Sequence, residues 1–476
     1  MKAIAIFDIG KTNKKFIIFD QNYEIIFEKG LKFDEKKDED GFPTDDMERL
    51  ERWIPETLEK FCKSGSYDIM AVNFSAYGAS LVHLNDHDKR VSTFFNYLKP
   101  IPDDLIDEFF EKYGKSKLPL ETESPVLGML NAGMQLYWIK KKRPELFNKI
   151  SHTLNFPEYC SFLLTGKKFT QMTSLGSHTM FWDFKKNDYH EWTEKQDVKA
   201  LLPKLISANH TEKINIGNKQ IMVGVGLHDS SAALIPYLKM LKSKFVLISS
   251  GTWNISMNPF NQAPLTLDEL KKDCLSFISY EGKKVKSSRV FLGNEYEYWR
   301  QKLETHFKKS SGYHKRIKFD PVLVNNLLIK PAEDRVFLPQ TMKGTGPLPG
   351  DYSKYKIDLN VFKDYNEAYH QLILDLTYIQ KLSLDLVLEK ETKDIIVSGG
   401  FTSNEVFLNM LAGFYPHYNI YSTKLSRASS LGAAMILHEK WNNKSLSKDL
   451  LAFKDYKTHG FLDFREYQYS KVGSSV

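Results

Sequence analysis

Cysteine is scarce in this chain of 476 residues, which contains Cys62, Cys160 and Cys274 and no other. The three lie far apart, and no two of them form a C-x-x-C pair. The sequence therefore indicates neither a disulfide framework nor a zinc site. A small, odd number of cysteines is typical of a reducing compartment, so we expect a cytoplasmic protein.

Long apolar runs are also absent. Residues 3–7 are the only apolar residues between the first lysine and Asp8, which is too short a stretch for a signal peptide. Nowhere do about eighteen uncharged apolar residues follow one another, so no membrane-spanning helix is predicted. We expect a soluble protein without a membrane partner.

Charge of one sign is not in large excess. The 66 lysines and arginines against 59 acidic residues give a formal charge of +7, and the lysines are scattered in short runs such as residues 140–143. Such runs are typical of solvated helix faces, so no nucleic-acid partner is predicted. With 42% hydrophobic residues the chain can build cores, and its length fits two domains of about 200 residues each.

The hydrophobic pattern predicts a mixed α/β fold. Residues 3–7 and 16–19 indicate two strands of a hairpin, followed by a helix near residues 50–61 and a strand at 67–76. Residues 124–147 show helical spacing that ends before Pro144. Further along, strands that end in small-residue turns and lead into helices are predicted at 219–238 and 393–415, with a strand and turn at 244–257 and a long helix at 365–386.

Gly10-Lys11-Thr12 are the residue types that end a Walker A phosphate loop. That motif also needs a glycine five positions before Gly10, where this chain has Ala5, and a helix after the threonine, where it has an apolar strand. The glycine-rich segments GVGLHD and GTGPLPG do not match the dinucleotide fingerprint, and there is no G-x-S-x-G or H-E-x-x-H motif. The usual P-loop, dinucleotide, hydrolase and zinc-protease signatures are therefore missing.

Asp8 ends the first apolar strand, so its carboxylate lies at a turn that also carries Thr12, Lys14 and Lys15. A hard Mg²⁺ ion with its water shell suits such a carboxylate, and the hydroxyl and ammonium groups suit a phosphate. The alternative is that Asp8 only accepts hydrogen bonds from backbone N–H groups in the turn.

Three further segments combine a strand end with small or polar residues. Asp229 is either a helix N-cap or a general base for a hydroxyl that attacks a phosphoryl group, and His228 either bonds a polyol or packs. Residues 250–252 form a phosphate cradle or an ordinary turn. Residues 399–400 allow a flat molecule to approach the backbone or make a tight turn.

Taken in order, these segments resemble one family. FDIGKTNKK, GLHDSSAAL, SSGTW and VSGGFTSNEVFLNMLA are similar to the first phosphate hairpin, the catalytic-aspartate segment, the second phosphate turn and the adenosine segment of the FGGY carbohydrate kinases. NFSAYGASLVHLND and RASSLGAAMIL also resemble segments of that family, which shares its fold with actin, hexokinase and Hsp70. The resemblance implies two RNase H-like domains around a central cleft, each a mixed sheet with flanking helices. Residues 1–238 would form the sugar-side domain and residues 239–476 the ATP-side domain.

The resemblance also implies a role for individual residues, with ATP and Mg²⁺ as cofactors. Asp8 would hold Mg²⁺ through water, and Asp229 would be the general base. The γ-phosphate would lie near Thr12, Asn13 and Lys15, of which the last is often arginine in the family. The transferring phosphoryl group would be bound by Gly251 and Thr252, adenosine by Gly400 and Asn404, and the sugar by Gly78, Ala79 and His228.

The segments His228-Asp229 and Ser250-Gly251-Thr252-Trp253 resemble the rhamnulokinase and fuculokinase branches of the family. The expected acceptor is then the C1 hydroxyl of a 6-deoxy-ketohexose, L-rhamnulose or L-fuculose. A kinase for xylulose, ribulose or a polyol is the alternative. A non-catalytic sensor of ATP or sugar would be expected to have lost Asp8 or Asp229, and both are present. We expect a monomer or a homodimer.

Overall fold

The computed structural model describes residues 2–329, 335–348, 350–425, 427–465 and 467. The strands are β1 (Lys2–Ile9), β2 (Lys14–Asp20), β3 (Ile25–Leu31), β4 (Lys36–Lys37), β5 (Pro43–Thr44), β6 (Asp68–Ala76), β7 (Leu81–Leu84), β8 (His152–Asn155), β9 (Thr170–Gln171), β10 (Trp182–Asp183), β11 (Asp188–Tyr189), β12 (Leu205–Ile206), β13 (Thr211–Ile216), β14 (Lys219–Gly224), β15 (Leu227–His228), β16 (Phe245–Ser250), β17 (Asn254–Asn258), β18 (Cys274–Ile278), β19 (Lys284–Val290), β20 (Asp394–Gly399), β21 (Asn419–Thr423) and β22 (Phe453–Tyr456). The helices are α1 (Met47–Lys63), α2 (Asp103–Tyr113), α3 (Lys117–Glu121), α4 (Ala132–Lys142), α5 (Pro144–Phe147), α6 (Phe156–Thr165), α7 (Met172–Leu175), α8 (Glu191–Lys195), α9 (Asp229–Met240), α10 (Leu267–Lys271), α11 (Leu292–His306), α12 (Pro321–Ile329), α13 (Tyr365–Asp385), α14 (Glu405–Phe414), α15 (Ala428–Met435) and α16 (His438–Trp441).

The chain divides into two compact units. The first unit comprises Met1–Leu241, Leu275–Val285 and Arg427–Leu450, and the second comprises Lys242–Cys274, Lys286–Ser426 and Leu451–Val476. The chain thus passes from one unit to the other several times. The domain division at residues 238 and 239 stays a prediction.

The first unit is built on a mixed sheet with the strand order β13-β14-β6-β1-β2-β3, in which β15 also pairs with β6. Strand β1 runs parallel to β6 and antiparallel to β2, which sets Asp8 opposite Lys15 on one side and Ser75 on the other. Strand β1 is buried over most of its length because its apolar run has a neighbour on both sides.

Helix α1 packs on this sheet through one apolar face, with Met47, Leu50, Ile54 and Leu58 buried. The helix begins where the Asp46 side chain accepts a hydrogen bond from the backbone N–H of the third helical residue. A second apolar cluster of this unit lies around α2 and α4 and includes the rings of Phe109, Tyr137 and Trp192. It forms the second core of the unit.

The second unit is built on a mixed sheet that contains β17-β16-β20-β21-β22 in this order. Strand β16 is antiparallel to β17 and parallel to β20, which is parallel to β21. The central strand of each sheet thus has an antiparallel hairpin partner on one side and a parallel strand on the other. The long helix α13 packs in the core of this unit, where Tyr369, Leu372, Leu376 and Ile379 are buried.

The predicted mixed α/β fold class is confirmed, with a sheet in each unit. The predicted hairpin, the helix near residues 50–61 and the strand–turn–helix segments are present. The helix predicted over residues 124–147 is wrong at its start. It begins at Ala132, after a 3-10 turn at Gly128–Leu130, because Gly128 has a left-handed backbone with φ of 60° and breaks the helical path.

In the part of the chain that the structure describes, no helix combines the length and the apolar character needed to cross a bilayer.

Candidate active site

The turn that joins β1 to β2 carries the first group of predicted site residues. It is closed by a hydrogen bond from the Gly10 backbone N–H to the Asn13 carbonyl oxygen at 2.9 Å. Thr12 and Asn13 are exposed at the tip of the turn, and Lys15 follows directly opposite Asp8. The structure therefore brings together the four residues predicted for magnesium and the γ-phosphate.

Asp8 lies against the first turn of α15. Its Oδ2 accepts hydrogen bonds from the hydroxyl of Ser430 at 2.5 Å and from that of Ser429 at 3.4 Å. Burial raises the pKa of Asp8, and the negative charge of Asp229 adds to the rise, while the Ser430 hydroxyl and the Lys15 ammonium act against it. A positive charge placed near Asp8 would therefore stabilise the ionised form of its carboxylate. No local sequence pattern indicates the contact with Ser430, which is 422 residues away.

The two other lysines of the turn are held by one buried carboxylate. Lys11 Nζ lies 2.7 Å from Asp45 Oδ2, and Lys14 Nζ lies 2.6 Å from Asp45 Oδ1. Lys14 also donates to the Lys11 carbonyl oxygen at 3.0 Å, and the Tyr77 hydroxyl donates to Asp45. Lys11, which follows Gly10 as the lysine follows the last glycine of a Walker A loop, therefore forms an ion pair with Asp45.

Asp229 is the first residue of α9, and His228 occupies the N-cap position without a side-chain capping bond. The Asp229 carboxylate accepts hydrogen bonds from the backbone N–H and the hydroxyl of Ser230 at 2.6 and 3.3 Å. Burial raises its pKa to about 6. Although burial affects its pKa in this way, 37% of the Asp229 side chain remains accessible to solvent. The N-cap alternative for Asp229 is not what the structure shows.

His228 is nearly fully buried beside this carboxylate, with its Nε2 3.4 Å from Asp229 Oδ1. Burial lowers its pKa to about 4, so the ring is neutral at physiological pH. Its Nδ1 has no hydrogen-bond partner among the described residues. A Cβ added to Gly78 would lie 2.8 Å from the His228 ring, so the absence of a side chain at Gly78 makes room for the imidazole.

Ala79 follows Gly78 with a left-handed backbone, φ of 60°. Its carbonyl oxygen accepts a hydrogen bond from Gln135 Nε2 at 2.6 Å, which holds this strained conformation in place. The first unit thus assembles every residue predicted for the sugar, the base and the first phosphate contact. Those residues are Asp8, Thr12, Asn13, Lys15, Gly78, Ala79, His228 and Asp229.

The other predicted residues meet in the second unit. Gly251, Thr252, Gly400 and Asn404 line one cavity of about 660 Å³. Asn404 does not present a free side chain to it: its Oδ1 caps α14 and its Nδ2 donates to the Tyr369 hydroxyl at 3.1 Å. The amide therefore supports the cavity wall.

Close backbone approach shapes this cavity. A Cβ at Gly293 would lie 1.8 Å from the Gly251 carbonyl oxygen, and one at Gly399 would lie 2.0 Å from the Ser250 carbonyl oxygen. The Ser250 hydroxyl donates to the Ser398 carbonyl at 2.5 Å and accepts from the Phe401 N–H at 3.0 Å. Hydrogen bonds of Ser250 therefore hold the end of β16 to β20 and to the turn that follows β20.

The sequence missed much of the cavity lining. The additional residues come from α11, the segment between α11 and α12, α13 and the segment that leads from β20 into α14. Most are aromatic or basic: Tyr296, His314, Lys315, Ile317, Lys318, Tyr369, Phe401, Ser403 and Glu405. The glycine of the FLGNEY segment, Gly293, was the one local signal that could have indicated part of this wall. Asp45 and Ser430 in the first unit were missed as well.

Comparisons with known proteins indicate the family of the chain. The model of the N-terminal domain of the FGGY family of carbohydrate kinases matches residues 3–235, and that of the FGGY C-terminal domain matches residues 242–445. A rhamnulokinase from Halalkalibacterium halodurans is 24% identical over 429 residues, which cover 85% of this chain and 87% of that protein. A rhamnulokinase from Oceanobacillus iheyensis is 25% identical over 52% of this chain and 54% of that protein.

Solved structures share the fold. A carbohydrate kinase from Novosphingobium aromaticivorans superposes with a TM-score of 0.80 at 22% identity, and a ligand-bound xylulose kinase from Lactobacillus acidophilus with 0.77 at 18%. Each covers 96% of this chain, which covers 94% of that structure. The chain therefore belongs to the FGGY family of carbohydrate kinases, phosphotransferases that use ATP to phosphorylate sugars.

Proposed function

We propose that the protein transfers the γ-phosphoryl group of ATP to the C1 hydroxyl of a 6-deoxy-ketohexose, L-rhamnulose or L-fuculose. The observation that carries the proposal concerns Asp229: its side chain is partly accessible to solvent, and burial raises its pKa to about 6. Such a group is ionised near neutral pH and still basic enough to accept a proton. Asp229 takes the hydroxyl proton, the sugar oxygen bonds to the γ-phosphorus, and the bond to ADP breaks.

The phosphates would be bound by groups that other interactions leave available. Thr12 and Asn13 are exposed at the turn, whereas Lys11 and Lys14 are held by Asp45. We assign Lys15 as the cation that meets the γ-phosphate. In the second unit, Gly251 and Thr252 would bind the transferring group, and Gly400 and Asn404 would line the adenosine pocket. Phosphoryl transfer needs mainly positioning and charge neutralisation, which this residue set provides.

The donor set of the first unit fits magnesium. The pKa of the Asp8 carboxylate is raised by burial and by the charge of Asp229, so a divalent cation would stabilise both carboxylates. Hard oxygen donors of this kind suit Mg²⁺, which Asp8 would hold through water. When bound, the ion neutralises charge on the ATP phosphates.

The choice of sugar is supported by the relatives named rhamnulokinase at 24% and 25% identity. A kinase for xylulose, ribulose or a polyol is the alternative, since structural neighbours include xylulose kinases and the glycerol kinase of Plasmodium falciparum. His228, Gly78 and Ala79 would face the sugar. A cytoplasmic location and a monomer or homodimer stay predictions.

An ADP-release assay over L-rhamnulose, L-fuculose, D-xylulose, L-xylulose, D-ribulose, L-ribulose and glycerol tests the proposal. We expect the highest kcat/KM with a 6-deoxy-ketohexose and a loss of at least about a thousandfold in Asp229→Asn. Asp188→Asn, at an exposed carboxylate, is the matched control and should keep full activity. A tenfold preference for a pentulose would refute the proposed substrate and support the alternative, a pentulose kinase. The kinase proposal fails if no acceptor raises ADP release above background and Asp229→Asn leaves that background unchanged.

A further inference from the structure

A third chain segment, which has no assigned role so far, reaches the group around His228. A Cβ at Gly78 would lie 3.0 Å from the Ser177 hydroxyl as well as 2.8 Å from the His228 ring. The next residue, His178, places its ring 6.3 Å from that of His228 at an angle of 88°. Residues 177 and 178 therefore belong to the same cluster as the predicted sugar-facing residues.

His178 is held in a strained backbone conformation, with φ of 47°. Asn131 Nδ2 donates to its carbonyl oxygen at 2.8 Å, and its own Nδ1 lies 3.0 Å from the Leu130 carbonyl oxygen. Gln135, four residues after Asn131 on the start of α4, holds the other strained residue, Ala79. Non-glycine residues that hydrogen bonds from neighbouring side chains hold in a left-handed conformation are found often at ligand sites.

Phe277 stands behind the two histidines. Its ring centroid lies 5.5 Å from that of His228 and 6.1 Å from that of His178. Phe277 is 2% exposed, whereas His178 is partly exposed. The position of Phe277 is fixed by its neighbour Ser276, whose backbone N–H donates to the Glu123 carbonyl at 2.9 Å. The rings of His178, His228 and Phe277 thus form an aromatic wall in which Phe277 is buried and His178 is partly exposed.

We propose that His178 contacts the acceptor sugar and determines its specificity: its ring, backed by Phe277 and beside His228, covers the C–H face of the sugar next to Asp229. The inference rests on the proposed function and assigns it a further substrate-contacting residue. Aromatic rings pack well on C–H groups and on a methyl. A pentulose lacks the C6 methyl and so loses its contact with this wall, which therefore favours a 6-deoxy-ketohexose.

Two substitutions at position 178 test the proposal. Asparagine tolerates a left-handed backbone, so His178→Asn removes the ring without new strain, and His178→Phe keeps an aromatic ring. His210→Asn is the matched control, because His210 pairs with Glu212 at 2.8 Å, outside this cluster. Each variant is assayed for kcat, KM for ATP and KM for each sugar.

We expect His178→Asn to raise KM for the preferred sugar at least about tenfold and to reduce the discrimination between 6-deoxy sugar and pentulose by a similar factor, with KM for ATP unchanged. His178→Phe should retain the discrimination. A folded His178→Asn protein with unchanged sugar KM and unchanged discrimination overturns the proposal. If that variant does not fold, Phe277→Leu decides, and unchanged sugar KM and unchanged discrimination in Phe277→Leu overturn the proposal equally.

Sugar-induced thermal stabilisation of the wild-type protein separates this proposal from the previous one. A wild-type protein that neither phosphorylates any sugar of the panel nor is stabilised by one refutes both. If the wild-type protein turns over a sugar and His178→Asn has the same sugar KM and the same discrimination, the role of His178 alone is refuted.

Discussion

Replacing Asp229 by asparagine is expected to stabilise the protein while it removes phosphoryl transfer. Burial raises the pKa of this carboxyl from 3.8 to about 6. Because the pKa is higher in the folded state, the contribution of the group to stability is fully present below about pH 4 and is lost as the pH rises through about 6. Asparagine is neutral at every pH and can still accept the hydrogen bond from the Ser230 N–H, so the variant avoids this loss.

The magnitude follows from the shift and from the exposure of Asp229. A rise of about two pKa units corresponds to about 3 kcal/mol between the two protonation states. Since 37% of the side chain is accessible, water screens part of the effect, and we take about half, about 1.5 kcal/mol. For a unit of this size the expected increase in Tm is roughly 3–5 °C.

Thermal unfolding of wild type and Asp229→Asn between about pH 4 and about pH 8 measures the difference. We expect it to be near zero at the acidic end and to reach its full value above about pH 7. A variant that is less stable than wild type at about pH 8, or a difference that does not change with pH, would refute burial of charge as the cause.

Asp45 is the contrasting carboxylate for the same experiment. Burial acts to raise its pKa, but the ammonium groups of Lys14 and Lys11 outweigh that effect and hold the pKa below its ordinary value. Its contribution to stability is therefore present above about pH 4 and is lost as the pH falls through the lowered pKa. Asp45→Asn leaves Lys14 buried without its carboxylate, so we expect a loss of about 3 kcal/mol at neutral pH that shrinks on acidification.

Three further predictions concern activity. The acid limb of the kcat/KM profile should have an apparent pKa near about 6, set by Asp229, and should be absent from any residual activity of Asp229→Asn. Lys11→Ala should change kcat/KM less than about threefold, because Lys11 pairs with the Asp45 carboxylate. Lys15→Ala should raise KM for ATP at least about tenfold. Equal effects of the two substitutions in steady-state kinetics would contradict the assignment of Lys15 as the phosphate-binding cation. Gly78→Ala should displace the His228 ring and lower kcat/KM for sugar at least about tenfold, whereas Gly30→Ala, where a Cβ meets nothing within 4 Å, should not.

Local patterns were enough to predict the parts of the site that lie within one strand, turn and helix. The hairpin that sets Asp8 opposite Lys15 and the start of α9 at Asp229 follow from apolar periodicity and turn residues, which act over a few positions. The start of the α4 helix was predicted too early, because the left-handed turn at Gly128 outweighs an apolar spacing that continues through it.

Contacts between distant parts of the chain could not be predicted in this way. Lys14 and Asp45 are 31 residues apart, and Asp8 and Ser430 are 422 residues apart, so neither pairing leaves a periodic pattern. The cavity of the second unit likewise draws its aromatic walls from several helices. Such groups are brought together by the packing of whole elements.

The sequence by itself determined the fold class, the family and which aspartates, glycines and hydroxyls stand at strand ends, because these depend on residue order and short-range periodicity. Only the tertiary structure decided which of those groups are available. It showed that Asp45 pairs with Lys11 and Lys14 while Lys15 lies opposite Asp8, and that burial raises the pKa of Asp229 to about 6. Availability and pKa depend on what surrounds a side chain in space, and that is set by folding.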